Sequence, residues 1–113
     1  MSRADLLFAA AAELQSYRGA RLTGDIGRQW TALERAHVLS QTLALQHLRV
    51  HTLMLGLAIR SSDGSEILGQ LARLVLAPLG NLTGRIPVGN SGRSNVSAFL
   101  PMPVPEDLRH LVP

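Results

Sequence analysis

Apolar side chains recur at intervals of three and four residues through most of the chain, which is the spacing of one face of a helix. Four segments carry this pattern, and short polar or glycine-containing stretches separate most of them. The pattern predicts helices over residues 3–22, 26–40, 43–60 and 65–77, and it predicts no strand. The sequence therefore indicates an all-α fold.

Short turns should pair these helices as two antiparallel hairpins, in a weakly tetratricopeptide-like bundle. Residues 23–25 supply the first turn and residues 61–64 the last, and both contain glycine and aspartate. Pro78 and Gly80 are expected to end the fourth helix, because a proline ring removes a helical hydrogen bond and clashes with the preceding turn. The break near residue 42 is the least marked, since it carries no glycine or proline.

The third helix is apolar on nearly all sides from Val50 onward, which is typical of a helix at the centre of a domain or against a partner. The fourth helix is expected to turn its apolar side chains inward, namely Ile67, Leu68, Leu71, Leu74 and Val75. With a positive mean hydropathy, so much apolar surface leads us to expect a homodimer.

The composition changes after residue 80, where proline and glycine become frequent. We expect residues 1–80 to form a helical core and residues 81–113 an ordered, extended arm of the same domain, ending in a short helix over 105–111. Ile86, Val96 and Phe99 are the expected apolar anchors of this arm, because a disordered tail would carry fewer such residues.

Composition excludes several classes of protein. The 113 residues allow one domain, and the absence of cysteine rules out disulfides and thiolate metal sites. All eleven basic residues are arginine, but they are spread along the chain among only four aromatic residues, which is unlike a nucleic-acid surface. No apolar run is long enough for a membrane span, and Asp5 and Glu13 interrupt the N-terminal segment that would otherwise suggest a signal peptide, so a cytoplasmic protein is expected.

One group of side chains carries chemistry: Glu34, His37, His47 and His51. Spacings of three and four place each pair on one face of a helix. If the chain reverses near residue 42, His37 faces His47 and Glu34 faces His51. Glu-x-x-His and His-x-x-x-His are known helical ligand spacings, so the group predicts a divalent metal site, with zinc preferred. A di-iron site would need more carboxylates.

The alternative interpretation is a buried polar network in a protein–protein interaction or dimerisation module. An apolar central helix and a proline-rich arm suit protein binding or domain-swapped dimerisation. Three metal ligands would leave a coordination position open to water, as in hydrolytic zinc sites. However, no convincing general base or oxyanion donor accompanies the group, so we expect a binding protein rather than an enzyme and assign no catalytic residue.

The segments Leu33–His37 (LERAH), Arg49–His51 (RVH), Pro87–Gly92 (PVGNSG), Asn95–Phe99 (NVSAF) and Pro101–Pro103 (PMP) give the chain a family likeness. With them it resembles a bacterial family of short helical proteins known as a domain of unknown function. That family commonly has threonine where Ser91 stands. The resemblance covers most of the chain, is most specific in the tail, and implies no activity.

Overall fold

The computed structural model describes residues 2–112. It contains four α-helices: α1 (Arg3–Thr23), α2 (Ile26–Ser40), α3 (Ala44–Arg60) and α4 (Gly64–Thr83). A short 3₁₀ helix follows at Glu106–Leu108, and there is no strand in the described part of the chain. The predicted all-α fold and the predicted break between the second and third helices are confirmed.

Side chains fix where the helices begin. Ser2 and Asp5 form a reciprocal capping box at the start of α1, with bonds of 3.1 and 3.2 Å. Asp25 and Asp63 cap α2 and α4, each accepting a backbone N–H three residues on. The turn after α2 has no such side-chain cap, and it is closed instead by the Leu43 N–H bonding to the Ser40 carbonyl at 2.8 Å.

The helices pack mainly as two hairpins, α1 with α2 and α3 with α4, and α2 also packs on α3. As the sequence predicted, α3 is central: Val50, Met54 and Leu57 are at most 1 % exposed. They pack with Leu33 of α2 in one apolar core. A second, smaller core joins both termini, and it contains Leu6, Ala10, Leu39, Leu43 and Leu108.

The prediction that Pro78 ends the fourth helix is wrong. Helix α4 continues through Pro78 to Thr83 and ends at Gly84, which has φ +74° and closes the helix in the left-handed region. Pro78 lies on the exposed face, so water can bond the carbonyl that the proline leaves without a helical donor. The extra turn brings the Asn81 side chain against His47.

The orientation of α4 also differs from the prediction. Its inward face carries Glu66, Gln70 and Ala77, which are buried, whereas Leu68 and Val75 are 71 % and 65 % exposed. The prediction holds for Ile67, which packs against the first core, and Leu74 is half-buried, but it is wrong for Leu68, Leu71 and Val75. The polar residues turn inward because other buried polar groups there need hydrogen-bond partners.

The arm has no regular structure between Gly84 and the 3₁₀ helix, but the predicted anchoring by Phe99 is wrong, since this ring is 75 % exposed. Polar contacts hold the arm instead. Gln41 donates to the Pro87 carbonyl at 3.0 Å and accepts from the Gly89 N–H at 3.1 Å. Leu108 anchors the terminal segment in the second core.

No helix among residues 2–112 has the length and apolar character needed to cross a lipid bilayer.

Candidate metal centre

Three of the four predicted ligands come together at the centre of the molecule. His37 lies in the last turn of α2, and His47 and His51 lie one turn apart on α3. Their Nε2 atoms form a triangle with sides of 3.1, 3.1 and 3.3 Å. The three residues are 3 %, 7 % and 2 % exposed, so the cluster is buried apart from the cavity described below.

The other ring nitrogen of each histidine contacts an oxygen acceptor. Nδ1 of His37 lies 2.7 Å from the backbone carbonyl of Asn90. Nδ1 of His47 lies 2.8 Å from Oδ1 of Asn81, and Nδ1 of His51 lies 2.8 Å from Oε1 of Gln70. A carbonyl oxygen only accepts, so Nδ1 of His37 must carry the proton.

The amide groups of Gln70 and Asn81 are oriented by their own hydrogen bonds, both with the oxygen toward a histidine. The Gln70 amide nitrogen donates to a carboxylate oxygen of Glu66 at 2.8 Å and to the Gly92 carbonyl at 2.9 Å. The Asn81 amide nitrogen donates to the Gln41 carbonyl at 2.7 Å. Since these partners accept only, each amide turns its oxygen to a histidine, and His47 and His51 are also protonated on Nδ1.

It follows that three Nε2 lone pairs point into one buried space. None of these nitrogens has a proton to give, so the contacts of 3.1–3.3 Å between them are not hydrogen bonds. A buried acceptor without a donor destabilises a fold. A single cation between the rings satisfies all three acceptors.

The triangle has the dimensions of a metal site. A metal about 2.0–2.1 Å from each nitrogen, with tetrahedral angles, separates its ligands by roughly 3.3–3.4 Å. The observed sides of 3.1, 3.1 and 3.3 Å lie at or just below this spacing. The three histidines thus suit three corners of a tetrahedron and leave the fourth open.

The electrostatics keep the histidines neutral, which is the form that binds metals. Burial lowers the pKa of all three, and it lowers the pKa of His51 to about 4. For His37 the two neighbouring histidines lower the pKa further, against the Asn90 carbonyl, which raises it. These imidazoles are therefore neutral at neutral pH, each keeping only its Nδ1 proton.

Glu34 is not in this cluster. Its carboxylate lies 3.3 Å from the Arg93 guanidinium, whose Nε donates to Glu66 at 2.9 Å. The same guanidinium stacks 3.7 Å over the Trp30 ring. Burial raises the pKa of Glu34, and the charge of Arg93 opposes that rise. Glu34 thus helps to hold the arm against α2, and the group of described residues able to hold a metal is His37, His47 and His51.

Beside the triangle lies a cavity of about 450 Å³ between α4 and the arm. All three histidines line it, together with Gln41, Asn90 and two arginines, Arg73 and Arg85. Much of the remaining wall is apolar and comes from Leu76, Ala77, Leu79, Ile86, Pro87, Ala98 and Phe99. The cavity therefore borders the histidine cluster.

Sequence reasoning missed the residues that orient the rings. Gln70 and Asn81 lie on a helix whose apolar pattern pointed the other way, and Asn81 follows a proline expected to end that helix. The spacing of Glu66, Gln70, Ala77 and Asn81, at intervals of four, seven and four, was the signal of an inward polar stripe. Asn90 was interpreted as a turn former, and it does organise the arm, donating to the Ser97 and Leu100 carbonyls.

A family model described as "Protein of unknown function (DUF3703)" matches residues 4–112. No curated protein and no solved structure matches the chain. Because the family model spans nearly the whole sequence, the chain belongs to the DUF3703 family, whose function is unknown.

Proposed function

We propose that this protein binds one divalent metal ion, with zinc preferred, through the Nε2 atoms of His37, His47 and His51. One observation carries the proposal: the Nε2 lone pairs of three histidines converge. Each of these histidines keeps its proton on Nδ1, where a separate acceptor binds it. Imidazole ligands also suit copper, nickel, cobalt and iron, and the near-tetrahedral spacing favours zinc among them. Glu34 is left out of the proposed ligand set because it pairs with Arg93.

The layer of groups around the rings supports a metal site over a simple polar network. Metal-binding histidines typically donate the N–H of the ring nitrogen that does not bind the metal to a carbonyl or carboxylate, which fixes the ring and makes the ligand more basic. Each histidine here does so, and behind His51 the Gln70 amide is in turn held by Glu66. In a hydrogen-bonded network without metal, a proton would lie between neighbouring Nε2 atoms. The amide oxygens instead hold the ring protons on Nδ1, so no proton is left for Nε2.

The test is a zinc titration of chelator-stripped, untagged protein, followed by elemental analysis after removal of free metal. We expect one zinc per chain and a zinc-dependent rise in melting temperature, since a ligand that binds only the folded state stabilises it. His51→Ala should abolish both effects. The matched control is His110→Ala, because this exposed histidine lies outside the cluster.

If the wild-type protein takes up less than a stoichiometric amount of zinc, nickel, cobalt and copper alike, with no change in melting temperature, the metal proposal fails. The interaction-module interpretation would then stand in its place.

A further inference from the structure

The charged side chains that line the cavity beside the histidine cluster are all positive. Two arginines line it, Arg73 and Arg85, and no described residue lining it is an aspartate or glutamate. Histidine binds metals in its neutral form, so a divalent metal held by these three would add two positive charges that no cavity residue balances. A buried cation of this kind needs an anion beside it.

Arg73 is the arginine with capacity to receive such an anion. Its two terminal nitrogens donate to the Gly69 and Val96 carbonyls, at 3.2 and 2.6 Å. Its Nε is buried without a hydrogen-bond partner among residues 2–112, and no carboxylate of those residues lies within ion-pair distance. A guanidinium carries five N–H donors, so most of its capacity is unused.

Much of the rest of the cavity wall is apolar. Leu76 and Ala77 supply one side from α4, and Ile86, Ala98 and Phe99 supply the other from the arm. About 450 Å³ is within the range of pockets that hold small organic molecules. The wall therefore suits a ligand with a hydrocarbon body rather than a bare inorganic anion.

We propose that the cavity binds a small monocarboxylate with an apolar body, whose carboxylate occupies the open position of the metal and pairs with Arg73. The hydrocarbon body lies against the α4 and arm side chains. This inference rests on the proposed metal site, since the metal supplies half of the charge that selects the anion.

Cobalt-loaded protein provides the test, because the visible absorption of Co²⁺ changes when its fourth ligand changes. Hexanoate, acetate and hexanol are titrated into the loaded protein. We expect hexanoate to shift the spectrum and to bind at least about tenfold more tightly than acetate, since each buried methylene strengthens binding by roughly fourfold. Hexanol, which has no charge, should leave the spectrum unchanged.

Two variants test which residue contacts which part of the ligand: Arg73 the carboxylate, and Phe99 the hydrocarbon body. Arg73→Gln should weaken hexanoate and acetate alike by about tenfold or more, as expected for loss of a charge-assisted bond. Arg49→Gln removes the same charge from an exposed position on α3 and is the matched control. Phe99→Ala should weaken hexanoate and leave acetate unchanged, and its exposed ring makes a folding defect unexpected.

The outcomes separate the two proposals. Protein that takes up no cobalt, nor any other metal, overturns the metal site and this inference with it. Protein that binds cobalt but shows no hexanoate-dependent spectrum overturns the carboxylate site alone. Equal affinity for hexanoate and acetate, or an equal response to hexanol, also overturns it. The ligand series uses only the wild-type chain, so it decides the matter even if Arg73→Gln fails to fold.

Discussion

At the scale of single residues, the chemistry of the centre is set by which nitrogen of each histidine carries the proton. An asparagine carbonyl, an asparagine amide and a glutamine amide hold the three Nδ1 protons. The amides are themselves oriented by groups that only accept hydrogen bonds. Three neutral imidazoles are thereby presented to one point with their lone pairs inward, which is the arrangement that a metal requires.

Removing one of these acceptors should weaken the metal site without touching a ligand. Asn81→Ala takes the acceptor from His47 and the donor from the Gln41 carbonyl. We expect zinc affinity to fall about 10- to 100-fold, as is usual when the group that holds a metal-binding histidine is lost. Competition with a chromophoric chelator measures it. Asn95→Ala at an exposed position is the matched control, and equal affinities in the two variants would contradict the assignment.

The buried histidines should make the metal-free protein sensitive to mild acid. An unfolded histidine has a pKa near 6.5, and burial lowers the folded values, that of His51 to about 4. As pH falls, the unfolded chain takes up these protons first, so stability is complete above about pH 6.5 and is lost toward pH 4. Because glutamates ordinarily titrate in the lower part of this window, its upper part, from about pH 6.5 to pH 5, reports mainly on the histidines.

The melting temperature of metal-free protein, followed from pH 7.5 to pH 5, checks this expectation. It should fall steadily across the interval, and zinc-loaded protein should resist the fall until protons displace the metal. A flat profile for the metal-free protein would show that the histidines are not held neutral by burial.

At the scale of elements, the four helices and most of the site were predictable, whereas the end and buried face of α4 and the anchoring of the arm were not. The apolar period of α2 placed His37 inward, and the i, i+4 spacing placed His47 and His51 together on α3. Helix α4 differs, because its buried face carries the polar side chains and most of its leucines face outward. Apolar periodicity identifies the apolar face of a helix. This face is the buried one only where the part of the core against which the helix packs is itself apolar.

The arm matters to the site through its backbone. Gly92 has φ +83°, and a Cβ atom there would lie 2.7 Å from the His37 ring. Its carbonyl also accepts from Gln70, so the arm closes over two of the groups that define the centre. A side chain at this position would displace the ring or the arm.

Gly92→Ala and Gly84→Ala form a matched pair that isolates this contact. Both glycines have positive φ, so each substitution should cost about 1–2 kcal/mol from backbone conformation. Gly84 has open space at its Cβ position, whereas Gly92 meets His37, which should add about 1–3 kcal/mol and weaken zinc binding. Denaturant unfolding and zinc competition measure both. Similar losses in the two variants would mean that the arm does not press on the ring.

At the scale of the whole molecule, the outward leucines of α4 form a continuous apolar stripe: Leu68, Leu71, Val75, Leu79 and Leu82, all 48–83 % exposed. Large exposed apolar patches commonly mark protein interaction surfaces. The homodimer expected from the sequence stays a prediction, and this stripe is where we expect the second copy to pack.

Light scattering at high protein concentration tests this expectation. The wild-type chain should be a dimer, and Val75→Glu should make it a monomer by placing a charge in the centre of the stripe. Phe8→Glu is the control, because Phe8 is 80 % exposed on α1, away from the stripe. A wild-type monomer at all concentrations would reject the dimer.

The proposed centre depends on the protonation and metal binding of three histidines, which long-range ¹H–¹⁵N NMR spectra of the imidazole rings report directly. In metal-free protein, His37, His47 and His51 should each carry their proton on Nδ1. Zinc should then move their three Nε2 resonances and leave His110 unchanged. A proton on Nε2 of any of the three in metal-free protein, or no response of these resonances to zinc, would contradict the account.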